Sequence, residues 1–220
     1  MTPLISEPVI EYPDSDGQPM ADNTLQFEWI VMIKGNLDLL FANDPNVFVA
    51  GDNLIYPVQS KPAICLAPDV YVAFGRNKGY RGSYKVWNEG GIFPQVVFEV
   101  LSPSNTAREL KRKLNFYNEY GAEEYYILDP ARVRLEGYVR GTTGGLLRIP
   151  DPIGFRSPSL GITFAMQEEI ELRGPDGRRF LTFVELGQLQ ERTAREAAGQ
   201  KRRADRLAAK LRELGVDPEA

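Results

Sequence analysis

A glutamate inside an apolar segment is the feature of this sequence that most strongly suggests chemistry. Glu99 lies in the run Gln95-Val-Val-Phe-Glu-Val-Leu101, a pattern typical of a strand buried on both faces. Burying an ionised carboxylate costs several kcal/mol unless it is paired with a cation or bound to a metal. An ordinary ion pair with a nearby lysine or arginine is therefore the alternative to a functional role.

Two further groups could act together with Glu99. Asp69 follows a proline at the start of a second apolar strand, where a strand end would direct it towards a cleft, although an aspartate there also fits a turn. Lys113 lies on the helix expected after the Glu99 strand, and Glu109 and Tyr117 share its face at a spacing of four residues. The alternative for Lys113 is a solvent-exposed ion pair with Glu109.

The composition restricts the chemistry available to these groups. The 220 residues include no histidine, which excludes imidazole bases, imidazole metal ligands and serine or cysteine triads. The single cysteine, Cys65, excludes an internal disulfide and a cysteine-based zinc cluster. Two carboxylates together with a strand carbonyl would instead form an oxygen-rich site suited to Mg²⁺ or Mn²⁺.

The single cysteine predicts a protein of the reducing cytoplasm, and charge and hydropathy restrict its partners. The formal net charge is −4 and the isoelectric point is about 5.1, so nucleic-acid binding would require a local basic patch. No apolar run approaches the roughly 20 residues of a membrane-spanning helix, so no membrane segment is expected. Residues 1–19 lack the basic start and apolar middle of a secretory signal.

Apolar periodicity and turn formers predict the elements that must position these groups. One helix is expected over 24–41, capped by Asn23, and a second over 106–120, ended by Gly121. A strand, helix, strand order indicates a mixed sheet with a crossover helix. The expected strands are 47–50, 68–75, 94–101, 124–129 and 133–139.

The last third of the chain predicts antiparallel strands followed by a long helix. Within 146–183, a hairpin is expected to pair 170–173 with 180–183 about the turn Gly174-Pro-Asp-Gly177. The helix from Val184 to Leu214 suggests a coiled-coil seam and hence a homodimer, and the alternative is a solvated helix folded back on the domain. The seam positions are 193, 197, 200, 204, 207, 211 and 214.

A basic loop between the two acidic segments is the candidate substrate-binding surface. Arg76, Lys78, Arg81 and Lys85 lie there together with two tyrosines and several glycines. Such a loop could bind phosphates and stack on bases. The alternative is a solvated loop without a ligand.

Four segments in this order and spacing resemble a known family. They are Pro68-Asp69, Glu99-Val-Leu-Ser-Pro-Ser104, Lys113 with Tyr117, and Gly121-Ala-Glu-Glu-Tyr-Tyr-Ile-Leu-Asp-Pro130. Over roughly residues 20–185 the sequence resembles the Uma2 family, formerly DUF820, of the PD-(D/E)xK nuclease superfamily. The resemblance implies an α/β, restriction-endonuclease-like fold: a mixed central sheet flanked by helices, with additional antiparallel strands and a C-terminal helix.

The resemblance also implies roles for individual residues. Asp69 matches the aspartate of the PD motif and Glu99 the acidic residue of (D/E)xK, so both are expected to be catalytic and to bind the metal. Leu101 replaces the usual lysine two residues after the acid, and Lys113 on the following helix is expected to take its catalytic role. Glu28 is the candidate for an acidic residue from the first helix. The implied cofactor is Mg²⁺ or Mn²⁺.

Two main functions follow from this pattern, and a third possibility is an enzyme that acts on some other phosphodiester. The first is a metal-dependent phosphodiesterase, a DNA endonuclease, in which Asp69, Glu99 and Lys113 converge in one cleft. The alternative is a catalytically degenerate nuclease fold that acts as an interaction module and oligomerises through its C-terminal helix. In that case Lys113 points away from the carboxylates, or a fixed ion pair neutralises Glu99.

The expected division of the chain follows the same pattern. The expected parts are an N-terminal arm over 1–23, a restriction-endonuclease-like domain over 24–185, a C-terminal helix over 186–214 and a tail over 215–220.

Overall fold

The computed structural model of the chain describes residues 10–214. The first nine residues of the expected arm and the expected tail over 215–220 lie outside the described residues. The chain divides into two units, one ending at Phe180 and the other beginning at Leu181.

Each α-helix begins directly after a residue whose side chain caps its N-terminus. The Asn23 side chain accepts a hydrogen bond from the Gln26 amide at 2.9 Å, as the sequence predicts. The second helix is capped by Thr106, directly after the segment 102–105 in which a cap was expected, and it ends at Gly121 with φ of +103°. The helices are α1 (Thr24–Leu40), α2 (Ala107–Tyr120) and α3 (Phe183–Glu213).

The strands are β1 (Val47–Ala50), β2 (Ile55–Tyr56), β3 (Val70–Phe74), β4 (Tyr84–Lys85), β5 (Val96–Val100), β6 (Glu124–Asp129), β7 (Arg134–Arg140), β8 (Leu146–Arg148), β9 (Thr163–Met166) and β10 (Ile170–Arg173). Six of them form the central sheet of the first unit, in the order β1-β3-β5-β6-β7-β8. Strands β5 and β6 are parallel and α2 connects them, whereas the other neighbours in this sheet are antiparallel. The mixed sheet with a crossover helix is therefore confirmed.

Alternation along the central strands sorts side chains onto the two faces of the sheet. In β5, Phe98 packs into the apolar cluster that includes α1, β9 and β10, whereas Val97 packs into the cluster on the α2 side. Tyr117 of α2 and Tyr125 of β6 belong to that second cluster. Because Glu99 has the same parity as Val97, its side chain is directed towards α2.

The predicted hairpin about 174–177 forms only next to its turn. Arg179 forms an isolated antiparallel bridge with Arg173, and the Phe180 amide donates to the Leu172 carbonyl at 2.7 Å. The extended pairing of β10 is instead with the preceding strand β9, and it brings the buried residues Leu172 and Phe164 together. The chain then leaves the extended conformation because Thr182 caps α3 in a reciprocal capping box, which places 183 in the helix.

Helix α3 is 31 residues long and contains the predicted seam positions from 193 to 211, and position 214 directly follows its last residue. None of its described residues is buried, and Leu207, Leu211 and Leu214 are exposed. The coiled-coil interpretation therefore stays a prediction. No described helix is long and apolar enough to cross a membrane.

Candidate active site

Strand register brings the two predicted acids together. Strands β3 and β5 are antiparallel with Val70 opposite Phe98, so Asp69 and Glu99 stand opposite each other one position beyond that pair. Residues opposite each other in an antiparallel pair direct their side chains to the same face. The two carboxylates therefore lie at one end of the strand pair, on the face covered by α2.

Asp69 is fixed by the main chain of the neighbouring strand. Its Oδ2 atom accepts a hydrogen bond from the Val100 amide at 2.6 Å, directly after Glu99 in the chain. Burial and then the nearby negative charge of Glu99 raise the pKa of the Asp69 carboxyl well above its usual value. A carboxyl whose ionised form is disfavoured in this way is a common feature of functional sites.

Glu99 is 2% exposed and receives both of its hydrogen bonds from α2. Lys113 Nζ donates to Oε2 at 2.7 Å, and the Tyr117 hydroxyl donates to Oε1 at 2.6 Å. Burial and the Glu99 charge raise the pKa of Tyr117, which keeps its hydroxyl protonated and able to donate. The spacing of four residues between Lys113 and Tyr117 therefore supplies one donor to each oxygen.

The Lys113 ammonium interacts electrostatically with the carboxylates of both Glu99 and Asp69. Burial alone would lower the pKa of its ammonium, but the charges of Glu99 and Asp69 outweigh burial and raise it. The ammonium also lies 3.9 Å from a carboxylate oxygen of Glu109, the partner expected from the helical spacing. The structure therefore brings Asp69, Glu99 and Lys113 together. The ion pair between Lys113 and Glu99 is compatible with the nuclease hypothesis and is also the arrangement expected for an interaction module.

A cavity of about 480 Å³ opens beside these residues. Asp69 and Lys113 line it, and segment 16–22 of the N-terminal arm contributes to its wall. Its charged lining is mainly acidic, with five carboxyl groups against two basic side chains. These charged residues are Asp16, Asp22, Asp52, Asp69, Glu109, Arg112 and Lys113.

The N-terminal arm is attached to the loop between β5 and α2. The Ser102 hydroxyl donates to Asp22 Oδ2 at 2.6 Å, and the Ser104 hydroxyl also donates to that oxygen. These two hydrogen bonds lower the pKa of the Asp22 carboxyl. The Ser-Pro-Ser segment that followed the Glu99 strand in the sequence therefore helps to hold one wall of the cavity.

From the first helix, Gln26 lines the cavity and the expected Glu28 does not. Gln26 is buried, and its Nε2 atom donates to the Val100 carbonyl at 2.8 Å, whereas Glu28 is exposed. Gln26 lies seven residues before Ile33, within the apolar face of α1. A polar residue within an apolar helical face was the signal in the sequence that could have identified it.

The predicted substrate-binding residues lie outside the cavity lining. Arg81 donates to both carboxylate oxygens of Glu89, at 2.6 and 3.1 Å, and Lys78 donates to the carbonyl of residue 41 at 2.5 Å. Arg76 donates to the neighbouring carbonyl of residue 75, and Lys85 lies 5.3 Å from the centre of the Tyr12 ring. The loop's role in substrate binding therefore stays a prediction.

Sequence reasoning missed the basic residue that does line the cavity beside Lys113. Arg112 belongs to α2 and is exposed. Arg108 lies four residues before Arg112 and three before Lys111, and these spacings place the three cations on one side of the helix. The helical periodicity of these cations was visible in the sequence, but their position beside the acidic cavity depends on how α2 packs on the sheet.

The fold is a mixed α/β sheet with flanking helices, and it carries two opposed carboxylates and a lysine from the crossover helix. Residues 12–165 match the family model Uma2, described as "Putative restriction endonuclease". The chain therefore belongs to the Uma2 family, as the resemblance in the sequence indicated.

One solved structure is similar to this chain over part of its length. The match is described as "a putative nuclease belonging to DUF820 from Anabaena variabilis ATCC 29413". It is 12% identical, has a TM-score of 0.44, and covers 63% of this chain and 75% of the matched chain. A search of the curated proteins gave no match.

Proposed function

We propose that this protein is a metal-dependent endonuclease that hydrolyses phosphodiester bonds of DNA. The observation that carries the proposal is the opposition of Asp69 and Glu99 across the antiparallel β3–β5 pair, with Lys113 bound to Glu99 at 2.7 Å. Membership of a family described as restriction endonucleases supports the same reaction class. The acidic cavity beside them, about 480 Å³ in volume, offers space for a phosphodiester group.

Asp69 and Glu99 fit a hard divalent cation such as Mg²⁺ or Mn²⁺. One Asp69 oxygen is held by the Val100 amide, and the other accepts no hydrogen bond from the described residues. Among those residues there is no group of three or more acidic or cysteine side chains that could hold a metal, so these two carboxylates would supply only part of its shell. Water and substrate oxygens commonly complete a Mg²⁺ shell.

The cation would polarise the scissile phosphate and lower the pKa of an attacking water. Lys113 stays charged because two carboxylates raise its pKa. Its ammonium would donate to a phosphate oxygen and stabilise the negative charge that develops there. Tyr117 would hold Glu99 in position throughout, because its hydroxyl binds the other carboxylate oxygen.

The ion pair between Lys113 and Glu99 sets a condition for this proposal. A cation that binds Glu99 must compete with the Lys113 ammonium for the same carboxylate. In the interaction-module hypothesis the ion pair is permanent, and no cation displaces it. Metal binding to the wild-type protein therefore separates the two hypotheses.

Cleavage of supercoiled plasmid DNA in Mg²⁺ or Mn²⁺ tests the proposed activity. Wild-type protein is expected to nick or linearise the plasmid, and Asp69→Asn and Glu99→Gln are each expected to reduce the rate at least about 100-fold, because each removes a metal ligand. Asp52→Asn is the matched control, since Asp52 also lines the cavity but lies outside the opposed pair.

Three outcomes would contradict the proposal. These are cleavage that persists in both variants, cleavage that survives excess EDTA, and cleavage of RNA but not DNA, the last of which would overturn the assigned substrate.

Dimerisation through α3 and a cytoplasmic location belong to the same proposal. The exposure of the heptad leucines supports the dimer.

A further inference from the structure

Helix α2 carries three exposed cations beside the acidic cavity. Arg108, Lys111 and Arg112 are spaced so that they share one side of the helix, and we call them the α2 basic face. They line an open concavity of about 560 Å³, whose apolar floor includes Ile64 and Phe116. No salt bridge joins any of the three cations to a partner among residues 10–214, whereas Arg81 in the loop is paired with Glu89.

The position of Arg108 in α2 is unfavourable for the helix itself. It lies in the first turn, at the end where the helix dipole is positive, and a cation there destabilises a helix. Lys111 and Arg112 lie in the second turn, beyond the main effect of the dipole. Together the three cations create a positive potential, which attracts a polyanion.

The α2 basic face is continuous with the proposed active site. Arg112 lines both the concavity and the acidic cavity, and Lys113 follows it in the chain. The cavity has an excess of carboxyl groups and repels a polyanion, so a substrate that reaches Asp69 must gain its binding energy elsewhere. The adjacent concavity has three cations and one acidic residue, Glu119.

We propose that the α2 basic face binds the phosphate backbone of the nucleic acid and guides it into the cavity. This inference rests on the proposed function and names the surface that holds its substrate. The apolar floor fits the sugars and bases of a nucleic acid better than it fits a small inorganic anion. The net charge of −4 makes this surface a local exception to the protein's overall charge.

Binding to oligonucleotides tests the proposal without requiring hydrolysis. The probes are a labelled 30-base-pair DNA duplex and a labelled 30-nucleotide single strand, titrated by fluorescence anisotropy from 50 to 200 mM NaCl. All variants are made in Asp69→Asn, which prevents cleavage in the proposed mechanism. Arg108→Ala/Lys111→Ala is expected to weaken binding at least about 10-fold and to reduce the salt slope for the duplex by about 2, because each phosphate contact contributes about 0.9.

The matched control replaces two exposed basic residues of α3 that no proposal assigns to substrate binding. Arg202→Ala/Arg203→Ala removes the same charge and is expected to leave the affinity and salt slope within about twofold of the parent. A further variant, Arg76→Ala/Lys78→Ala, compares the α2 basic face with the loop predicted from the sequence. Thermal unfolding of each variant verifies that it is folded. Because the α2 cations lie on the exposed surface, their replacement is expected to preserve the fold.

Several results would overturn the assignment to α2. They are a loop variant that loses affinity while the α2 variant keeps it, no binding of either oligonucleotide by the parent, and binding of phosphatidylserine vesicles without binding of nucleic acid. A wrong nuclease proposal gives a different result from a wrong α2 assignment. In the first case the wild type does not cleave plasmid DNA, while oligonucleotides still bind through α2.

Discussion

Glu99 owes its position in an apolar strand to two donors from one helix. A buried carboxylate that loses one hydrogen-bond partner is left incompletely satisfied, which costs more than the average hydrogen bond contributes. Lys113 compensates the charge, and Tyr117 satisfies the second oxygen without adding charge. The tyrosine is therefore expected to contribute to stability as well as to the geometry of the site.

Removal of one hydroxyl tests this role of Tyr117. Tyr117→Phe is expected to lower the free energy of unfolding by about 1.5–3 kcal/mol, because a hydrogen bond to a buried charged group is lost. The measurement is urea-induced unfolding at pH 7 in the presence of EDTA.

Tyr125→Phe is the matched control for that experiment. Tyr125 packs against Tyr117, with ring centres 4.9 Å apart, but its hydroxyl is buried without a hydrogen-bond partner in the described chain. Its removal is expected to be neutral or stabilising. Equal losses of stability in the two variants would contradict the role assigned to the Tyr117 hydroxyl.

The raised pKa of Asp69 predicts a dependence of stability on pH. Folding raises this pKa, so the folded state binds more protons than the unfolded state between the two pKa values, and the contribution of Asp69 to stability is lost as pH rises through the folded-state value. Asp69→Asn lacks the ionisation but keeps an oxygen for the Val100 amide. In EDTA, the variant is expected to be more stable than wild type at pH 7, on the order of 1 kcal/mol.

Thermal unfolding between pH 4 and pH 8 measures this difference. The stability advantage of Asp69→Asn is expected to be small at pH 4 and to grow as pH rises. A variant less stable than wild type at pH 7, or a difference independent of pH, would contradict the electrostatic description of the acid pair.

Residue types identified the acids and the lysine, but not the residues that support them. Glu99 is anomalous in an apolar strand, and Lys113 and Tyr117 share a helical face, so local patterns were sufficient. Gln26 contacts the Val100 carbonyl across 74 positions of sequence, and Arg112 gains its importance only from the cavity beside α2. Such long-range contacts leave little signal in a single sequence.

The antiparallel pairing of β1 with β3 fixes the position of Asp69. A Cβ atom at Gly51 would lie 2.0 Å from the Asp69 carbonyl oxygen, which is a main-chain atom and cannot yield without moving the strand end. The absence of a side chain at Gly51 therefore permits the close approach that places the carboxylate opposite Glu99.

Alanine substitution at two glycines tests this constraint. Gly51→Ala is expected to lower Mn²⁺ affinity at least about 10-fold and to destabilise the protein, because the Asp69 main chain must shift. Gly35→Ala is the control, since its Cβ would meet nothing within 4 Å inside α1, and it is expected to add about 1 kcal/mol of stability with unchanged affinity. Calorimetry and thermal unfolding measure the two quantities. Unchanged Mn²⁺ affinity in Gly51→Ala would contradict the constraint.

Strong periodic elements were predictable, whereas one strand pairing was not. Helices α1 and α2 and strand β6 follow from caps, apolar spacing and turn residues, all of which act locally. The hairpin expected about 174–177 is limited to one bridge, between Arg173 and Arg179, because Thr182 caps α3 and ends the extended segment there. The longer pairing of β10 with β9, which buries Phe164 against Leu172, depends on packing that turn residues do not signal.

The exposed leucines of α3 predict that the protein self-associates. Deletion of residues 188–220 is expected to reduce the mass measured by light scattering from a dimer to a monomer, because it removes the predicted coiled-coil seam. Leu207→Glu/Leu211→Glu in the full chain is expected to have the same effect, whereas Arg202→Glu, outside the seam, is expected to preserve the dimer. An unchanged mass after the deletion would reject this role of α3.

Titration of Mn²⁺ into the metal-free protein by calorimetry measures whether Asp69 and Glu99 bind a divalent cation. No knowledge of the substrate is needed. Saturable binding by wild type and by Asp52→Asn, lost in Asp69→Asn and Glu99→Gln, is the expected result. Absence of binding by folded wild-type protein, or equal binding by Asp69→Asn, would contradict it.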